Sequence, residues 1–137
     1  MTILSSRKVR SSAFRRLGGT VRLRVLAGEI LDATVARSYC IGAVHMALGW
    51  VLSEGLTVDD DGVVHDLTIR SFGIIRPKHM PKVTVEFLHD SRPALRGSDA
   101  VFVATAAATW NAVTRDEGKR PTSFPALDSR IARSLRK

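Results

Sequence analysis

The segment from Ile41 to Glu54 constrains the fold of this 137-residue chain most, because it has the pattern of a helix and yet contains two glycines. Its apolar residues recur at intervals of three and four, which places them on one buried stripe: Ile41, Val44, Leu48, Val51 and Leu52. Gly42 and Gly49 each cost such a helix about 1 kcal/mol relative to alanine. Their presence predicts that another helix or a ligand lies very close to the backbone here.

Periodicity and turn residues along the rest of the chain predict a small, mixed α+β domain. Two main helices, at about 34–54 and 99–115, are expected to pack on a short, mainly antiparallel sheet. The strands of this sheet are predicted at Thr20–Leu26, Leu67–Arg76 and Lys82–Leu88. A hairpin turn is predicted at Asp59–Gly62, and a short, basic, exposed helix at Leu127–Arg136. The second main helix is apolar on nearly every side, so we expect a neighbouring subunit to cover part of it.

Charge divides the chain into three parts. Residues 1–19 hold five basic residues and no acid, and residues 119–137 hold six basic residues and one acid. Since the net charge is +8, the domain expected at 20–118 carries −2. The basic tails are typical of solvated segments, although an arm that binds nucleic acid has the same composition. No aromatic residues alternate with the basic ones to stack on bases, so nucleic acid is not an expected partner.

The cysteine content and the apolar runs indicate the compartment. Cys40 is the single cysteine, so an internal disulfide is excluded. The longest apolar runs, Ile41–Leu52 and Ala100–Ala108, are too short to span a bilayer. The amino end has no apolar signal region, and we expect a cytoplasmic protein with no membrane partner. The first 28 residues, rich in Arg and Ser and without acids, also have the composition of a transit peptide, or of a displaced gene start.

Two groups of residues are candidates for chemistry. Arg96-Gly97-Ser98-Asp99 precedes the second main helix, where Ser98 or Asp99 could cap the first turn and its free N–H groups could hold an anion. An ordinary cap would have the same residues. His45 lies on the helix face opposite the apolar stripe, either as a hydrogen-bonded structural residue or as a ligand. The four histidines do not have metal-ligand spacing, so no metal site is predicted.

An ordered series of segments resembles the carboxy-terminal part of the molybdenum-binding subunit of the xanthine dehydrogenase and aldehyde oxidase family. The series covers about residues 28–125 and begins with Gly42–Glu54, which is similar to a glycine-containing helix of that family. The later segments follow in the family's order, at Asp59–Gly62, Ile74–Pro81, Val83–Phe87, Gly97–Asp99 and Ala106–Ala112. Each segment alone is common, and it is their order that is specific.

The resemblance implies a set of site residues around a molybdopterin cofactor. It places the pterin side of the site on the first main helix, at Gly42, His45, Met46 and Gly49, and the catalytic loop at Arg96, Gly97 and Ser98. Asp99 stands where the family has a catalytic glutamate, and it is one methylene shorter. A base misplaced by about 1 Å can lower a rate roughly a hundredfold.

The resemblance therefore implies a fragment or small subunit of a molybdenum hydroxylase, a xanthine dehydrogenase-like oxidoreductase. Such a chain would contribute part of the molybdopterin site and be inactive alone. Its implied partners are the remaining domains of the molybdenum-binding subunit, together with flavin and iron–sulfur subunits, because this chain has no cysteine set for a cluster. The alternative is a non-catalytic remnant, an interaction module whose basic tails bind an acidic partner or nucleic acid.

Overall fold

The computed structural model describes residues 19–95 and 97–135. The predicted tail at 1–19, apart from its last residue, and Arg96 of the predicted catalytic loop lie outside the described residues. Within them the chain forms, in order, β1 (Thr20–Val25), α1 (Ala33–Leu52), a 3₁₀ turn (Pro77–His79), β2 (Lys82–Phe87), α2 (Ser98–Glu117) and α3 (Arg130–Leu135). The two main helices are present with ends within two residues of those predicted.

Local hydrogen bonds define both ends of α1. The Asp32 carboxylate accepts from the backbone N–H groups of Thr34 and Val35, at 2.8 and 3.0 Å, and so satisfies two donors of the first turn. At the other end, the N–H groups of Ser53 and Glu54 both donate to the Gly49 carbonyl. Between these ends the buried side of the helix is lined by Cys40, Ala43, Val44, Ala47, Leu48, Gly49, Val51 and Leu52. Ile41, predicted on the buried stripe, is exposed.

The predicted mainly antiparallel sheet is wrong. In the described part of the chain the sheet has two strands, and β1 and β2 run parallel, with Thr20 opposite Lys82 and Val25 opposite Phe87. A parallel pair requires a long crossover between its strands, and the connection from Val25 to Lys82, which contains α1, provides one. Alternating residues identify a strand but contain no information about its direction.

The strand predicted at Leu67–Arg76 is also wrong, since residues 68–73 form turns. The side chains of Thr68 and Ser71 bond each other and each other's backbone, and such local bonds compete with a strand ladder. The hairpin turn at Asp59–Gly62 is present, with Gly62 at φ 78° and Val58 and Val64 joined by one antiparallel bridge. That bridge does not belong to the parallel sheet.

The core lies between α1 and α2, and the sheet covers one side of it. Val44, Val51 and Leu52 of α1 and Val101 and Val113 of α2 are its most buried large residues on these helices. α3 closes one end of the core with Ile131 and Ala132, so this short helix is less exposed than predicted. Its apolar side is an integral part of the fold.

α1 and α2 both leave apolar surface uncovered. By length and composition alone α1 is long and apolar enough to cross a membrane, contrary to the prediction that the apolar runs are too short. The core helix of a protein outside the membrane can have the same length and composition. One side of α2 contributes to the core, while Val103, Ala107 and Asn111 on another side are exposed. A neighbour that covers this side of α2 stays a prediction.

Candidate cofactor-binding cleft

A cleft of about 550 Å³ opens where β1 and β2 end. The strand ends form its base, with Val25, Ala27 and Phe87. The start of α1 forms its first wall, with Val35, Tyr39 and Cys40. The loop that leads into α2 forms its second wall, with Leu95, Gly97, Ser98 and Asp99. In sheets with parallel strands, ligands bind outside the carboxyl ends of the strands. The position and size of this cleft are those of a cofactor site.

The segments that follow β1 and β2 continue side by side and hold the cleft in shape. Glu29 N–H donates to the Arg92 carbonyl, and Leu95 N–H donates to the Ala27 carbonyl, both at 2.8 Å. Gly28 lies at the centre of this contact with a left-handed backbone, φ 71°, and an added Cβ would be 2.0 Å from the Pro93 carbonyl oxygen. Only glycine allows the two segments to approach this closely.

A carboxylate joins the same two segments. Asp90, whose side chain is only 6% exposed, accepts from Gly28 N–H at 2.9 Å and from the Arg92 guanidinium at 2.7 and 2.8 Å. The hydrogen bonds from Arg92 and from backbone N–H groups favour the charged form and hold the pKa of Asp90 well below its usual range. Ionised Asp90 therefore stabilises the base of the cleft.

The low pKa of Asp90 predicts how stability depends on pH. A carboxyl with a lower pKa in the folded state stabilises the fold above its unfolded pKa, and this contribution disappears as pH falls through the folded value. Asp90→Asn should therefore lower the urea midpoint by the same amount at pH 7 and pH 5, and the difference from the native chain should narrow below about pH 4. Asp60→Asn, at an exposed turn, is the matched control. A difference that grows on acidification would contradict the assignment.

Both main helices begin at the cleft, where Asp32 precedes α1 and Ser98 and Asp99 form the first turn of α2. Asp32 uses its carboxylate to cap α1. The cap of α2 differs from the prediction, because Gly97 is its N-cap residue and Ser98 and Asp99 already belong to the first turn. Asp99 is exposed, and its carboxylate accepts from Ser98 Oγ at 3.4 Å. This carboxylate is thus available to a molecule in the cleft.

Charge in the cleft is acidic among the described residues. Glu29, Asp32 and Asp99 line it, and no lysine or arginine among the described lining residues offsets them. The positive ends of the two helix dipoles provide partial compensation. Burial raises the pKa of the Cys40 thiol in the α1 wall, which keeps this sulfur neutral at physiological pH. In the described parts of the chain, no group of three or more His, Cys, Asp or Glu residues is placed to hold a metal ion.

The predicted site residues divide into two groups. Gly97, Ser98 and Asp99 line the cleft, whereas the four predicted residues of α1 do not: Gly42, His45, Met46 and Gly49. His45 Nε2 is 2.7 Å from the Ile75 carbonyl oxygen, a structural hydrogen bond that matches one of the two roles expected for it. The α1 residues that do line the cleft come before the glycine segment; they are Val35, Ala36, Tyr39 and Cys40.

Sequence reasoning missed these wall residues because it missed the direction of the strands. A parallel β1–α1–β2 unit would have directed attention to the residues after each strand, since that edge of the sheet is where ligands bind. The signal available in the sequence was the length of the connection between Val25 and Lys82, which is long enough for a helical crossover.

Comparison with known proteins relates this fold and cleft to molybdenum enzymes. No protein-family model matches the chain. The aldehyde oxidoreductase molybdenum-binding subunit PaoC of Escherichia coli K12, and that of E. coli O157:H7, are each 37% identical to it over 123 aligned positions, covering 78% of this chain and 16% of the relative.

Solved structures share the fold. The crystal structure of the Cu,Mo-CO dehydrogenase in its carbon monoxide-reduced state, and the reconstituted CO dehydrogenase from Oligotropha carboxidovorans, each match with a TM-score of 0.63 at 15% identity. Each match covers 71% of this chain and 13% of the other. At this identity the likeness concerns the fold alone.

This chain is related by sequence to a molybdenum-binding subunit and shares its fold with part of the CO dehydrogenases. It belongs to the molybdenum hydroxylase family, as the order of its segments predicted, and it corresponds to part of a molybdenum-binding subunit. The chain spans 16% of the length of the curated relatives it matches. The candidate ligand of the cleft is therefore the molybdenum cofactor of such a subunit.

Proposed function

We propose that this chain forms one wall of the molybdopterin site in a molybdenum-dependent aldehyde oxidoreductase and is inactive without the rest of that enzyme. The observation that carries the proposal is the cleft at the carboxyl ends of β1 and β2, beside Gly97–Asp99. The name of the curated relatives supports the aldehyde class of substrate. The partners we propose are the remaining domains of the molybdenum-binding subunit, with flavin and iron–sulfur subunits.

The cleft suits part of such a cofactor and not all of it. Its volume lies within the range of cofactor sites, its walls are mostly apolar, and the N–H groups at the start of α2 can bind polar groups of an organic ring system. The described residues contain no ligand set for the metal itself. The two-stranded parallel sheet supports the same conclusion, because parallel sheets are normally larger and covered on both faces. Other parts of the enzyme would hold the metal.

Asp99 is the residue of this chain that we assign to proton transfer. When bound, the molybdenum cofactor supplies the two-electron oxidation of the substrate. The exposed carboxylate of Asp99 is at the mouth of the cleft and does not cap α2. Its Oδ1 accepts one long bond from Ser98 Oγ, at 3.4 Å, and its other oxygen can accept a proton.

Purification of the native complex through a tag on this chain tests the proposal. We expect the complex to contain molybdenum and pterin and to oxidise an aldehyde, while the chain alone does not. In the complex, Asp99→Asn should lower kcat by about a hundredfold or more at unchanged molybdenum content, the scale of a lost general base, and Asp99→Glu should retain activity. Asp61→Asn, in an exposed turn, should have no effect.

Each part of the proposal has its own contradicting result. A native complex without molybdenum, or an isolated chain that turns over aldehyde, would overturn the role as part of a cofactor site. A wild-type kcat in Asp99→Asn would remove Asp99 as the base.

The alternative of an interaction module that binds through basic tails stays a prediction. In the described residues, part of the positive charge of the C-terminal tail is neutralised, since Arg130 pairs with Asp116 and Glu117 at 3.5 and 3.6 Å.

A further inference from the structure

α1 has a second apolar stripe, on the side turned away from the core. Its members follow at intervals of four, three, four and four residues, which places them on one face of a helix: Val35, Tyr39, Gly42, Met46 and Trp50. All five are exposed, and the exposed fraction is 66% for Tyr39 and 53% for Met46. The stripe contains no charged residue. An apolar surface of this extent on a helix marks a site of interaction.

The two glycines of α1 differ in what lies beside them. A Cβ added to Gly49 would be 2.0 Å from Glu54 Oε1, so the close approach predicted at this position is made by the chain's own side chain. A Cβ added to Gly42 would have nothing within 4 Å. Nothing in the described fold therefore accounts for the cost of glycine at position 42, which is about 1 kcal/mol in a helix interior.

The stripe is continuous with the rim of the cleft. Val35 and Tyr39 belong to both, and Leu31 and Leu95, which are exposed, extend the apolar surface across the cleft. An occupant of the stripe would therefore also lie next to the cleft, where the site proposed above needs its other walls. The fold thus exposes one apolar surface from Leu95 to Met46, with Gly42 in its α1 part. Trp50, at the far end of the stripe, is partly covered, because its ring lies 5.4 Å from that of Phe102 and 4.5 Å from that of Phe124.

We propose that this surface, the α1 stripe with the cleft rim, is the docking surface for the remaining domains of the molybdenum-binding subunit, and that Gly42 is the point of closest backbone approach. The inference rests on the proposed function. It is supported by the lengths of the relatives, because the aligned region is 16% of the curated subunit and the rest of that subunit has to pack somewhere. A protein segment inserted above Gly42, between Tyr39 and Met46, would bury the stripe.

A bulky side chain at position 42 tests the inference. Gly42→Leu should leave the isolated chain folded, because among the described residues no atom outside the neighbouring backbone lies within 4 Å of a Cβ at this position. The thermal midpoint of the chain should therefore not fall. In the source cell, a tagged Gly42→Leu chain should recover the rest of the molybdenum-binding subunit, quantified by mass spectrometry, about tenfold less well than the native chain. Met46→Asp should give the same loss, and Lys119→Leu, exposed and outside this surface, should not.

The outcomes separate the inference from the proposed function. Normal recovery of subunit and molybdenum with Gly42→Leu would overturn the docking surface and leave the proposed function intact. Normal recovery of subunit with loss of molybdenum would overturn it in favour of direct cofactor contact. Self-association of the native chain that Gly42→Leu abolishes, with recovery of the subunit unchanged, would overturn it in favour of a second copy. A native chain that recovers neither subunit nor molybdenum would refute the proposed function itself.

Discussion

Replacing Gly28 with alanine is expected to lower the free energy of unfolding by about 3 kcal/mol or more and to open the cleft. A left-handed backbone costs an alanine about 1–2 kcal/mol. The new Cβ would also be 2.0 Å from the Pro93 carbonyl oxygen, so the segment after β2 has to move away. That movement breaks the bonds from Glu29 N–H to the Arg92 carbonyl and from Leu95 N–H to the Ala27 carbonyl, each worth about 1 kcal/mol.

Gly118→Ala separates backbone strain from close approach. Gly118 has the same φ of 71°, but nothing lies within 4 Å of an added Cβ. Urea unfolding should show a loss of about 1 kcal/mol for Gly118→Ala, and hydrogen exchange at Glu29 and Leu95 should accelerate only in Gly28→Ala. Equal losses of unfolding free energy in the two variants would show that the segments after β1 and β2 can separate without cost. The base of the cleft would then not be rigid.

Replacing Leu52 with alanine is expected to cost about 2–5 kcal/mol. Leu52 is 0% exposed at the end of α1, and a large-to-small change at such a site loses the transfer free energy of the removed atoms and leaves a cavity. Because small domains are stable by only about 5–15 kcal/mol, this variant should be partly unfolded at modest urea concentrations. Urea denaturation followed by circular dichroism measures the shift.

Leu67→Ala is the matched control, because the same atoms are removed from a side chain that is 73% exposed. Its effect should stay within about 0.5 kcal/mol. A large loss in Leu67→Ala would mean that the Leu67 side chain packs on the core, contrary to its exposure. A small loss in Leu52→Ala would mean that the space between α1 and α2 collapses around the deletion.

Local pattern was sufficient for the two main helices and for both strands of this fold. Three- and four-residue spacing identified α1, and alternation of Val21, Leu23 and Val25 identified β1. These predictions are correct because the spacing of apolar residues along the sequence shows which face of a helix or strand is buried. The turn residues at Thr68 and Ser71 were missed, and a strand was predicted in their place. Polar side chains that bond their own backbone override a β-rich composition.

The same reasoning predicted only some of the residues that line the cleft. Gly97–Asp99 was found through its resemblance to a family loop, and the structure places it at the strand ends. Tyr39 and Cys40 were missed, and Gly42, His45, Met46 and Gly49 were expected at the site although they do not line the cleft. Which side of a helix faces a site depends on how it packs against its sheet, and one helix has several positions with equally suitable residues.

By itself, the sequence determined the two long helices, both strands and, through the order of its segments, the molybdenum hydroxylase family. Only the tertiary structure decided that β1 and β2 are parallel, that their ends meet in a cleft, and that Gly49 is covered by Glu54 while Gly42 is open. The physical reason is range. Helix and strand patterns arise from residues a few positions apart, whereas strand direction and the packing beside a glycine depend on contacts between segments distant in the chain.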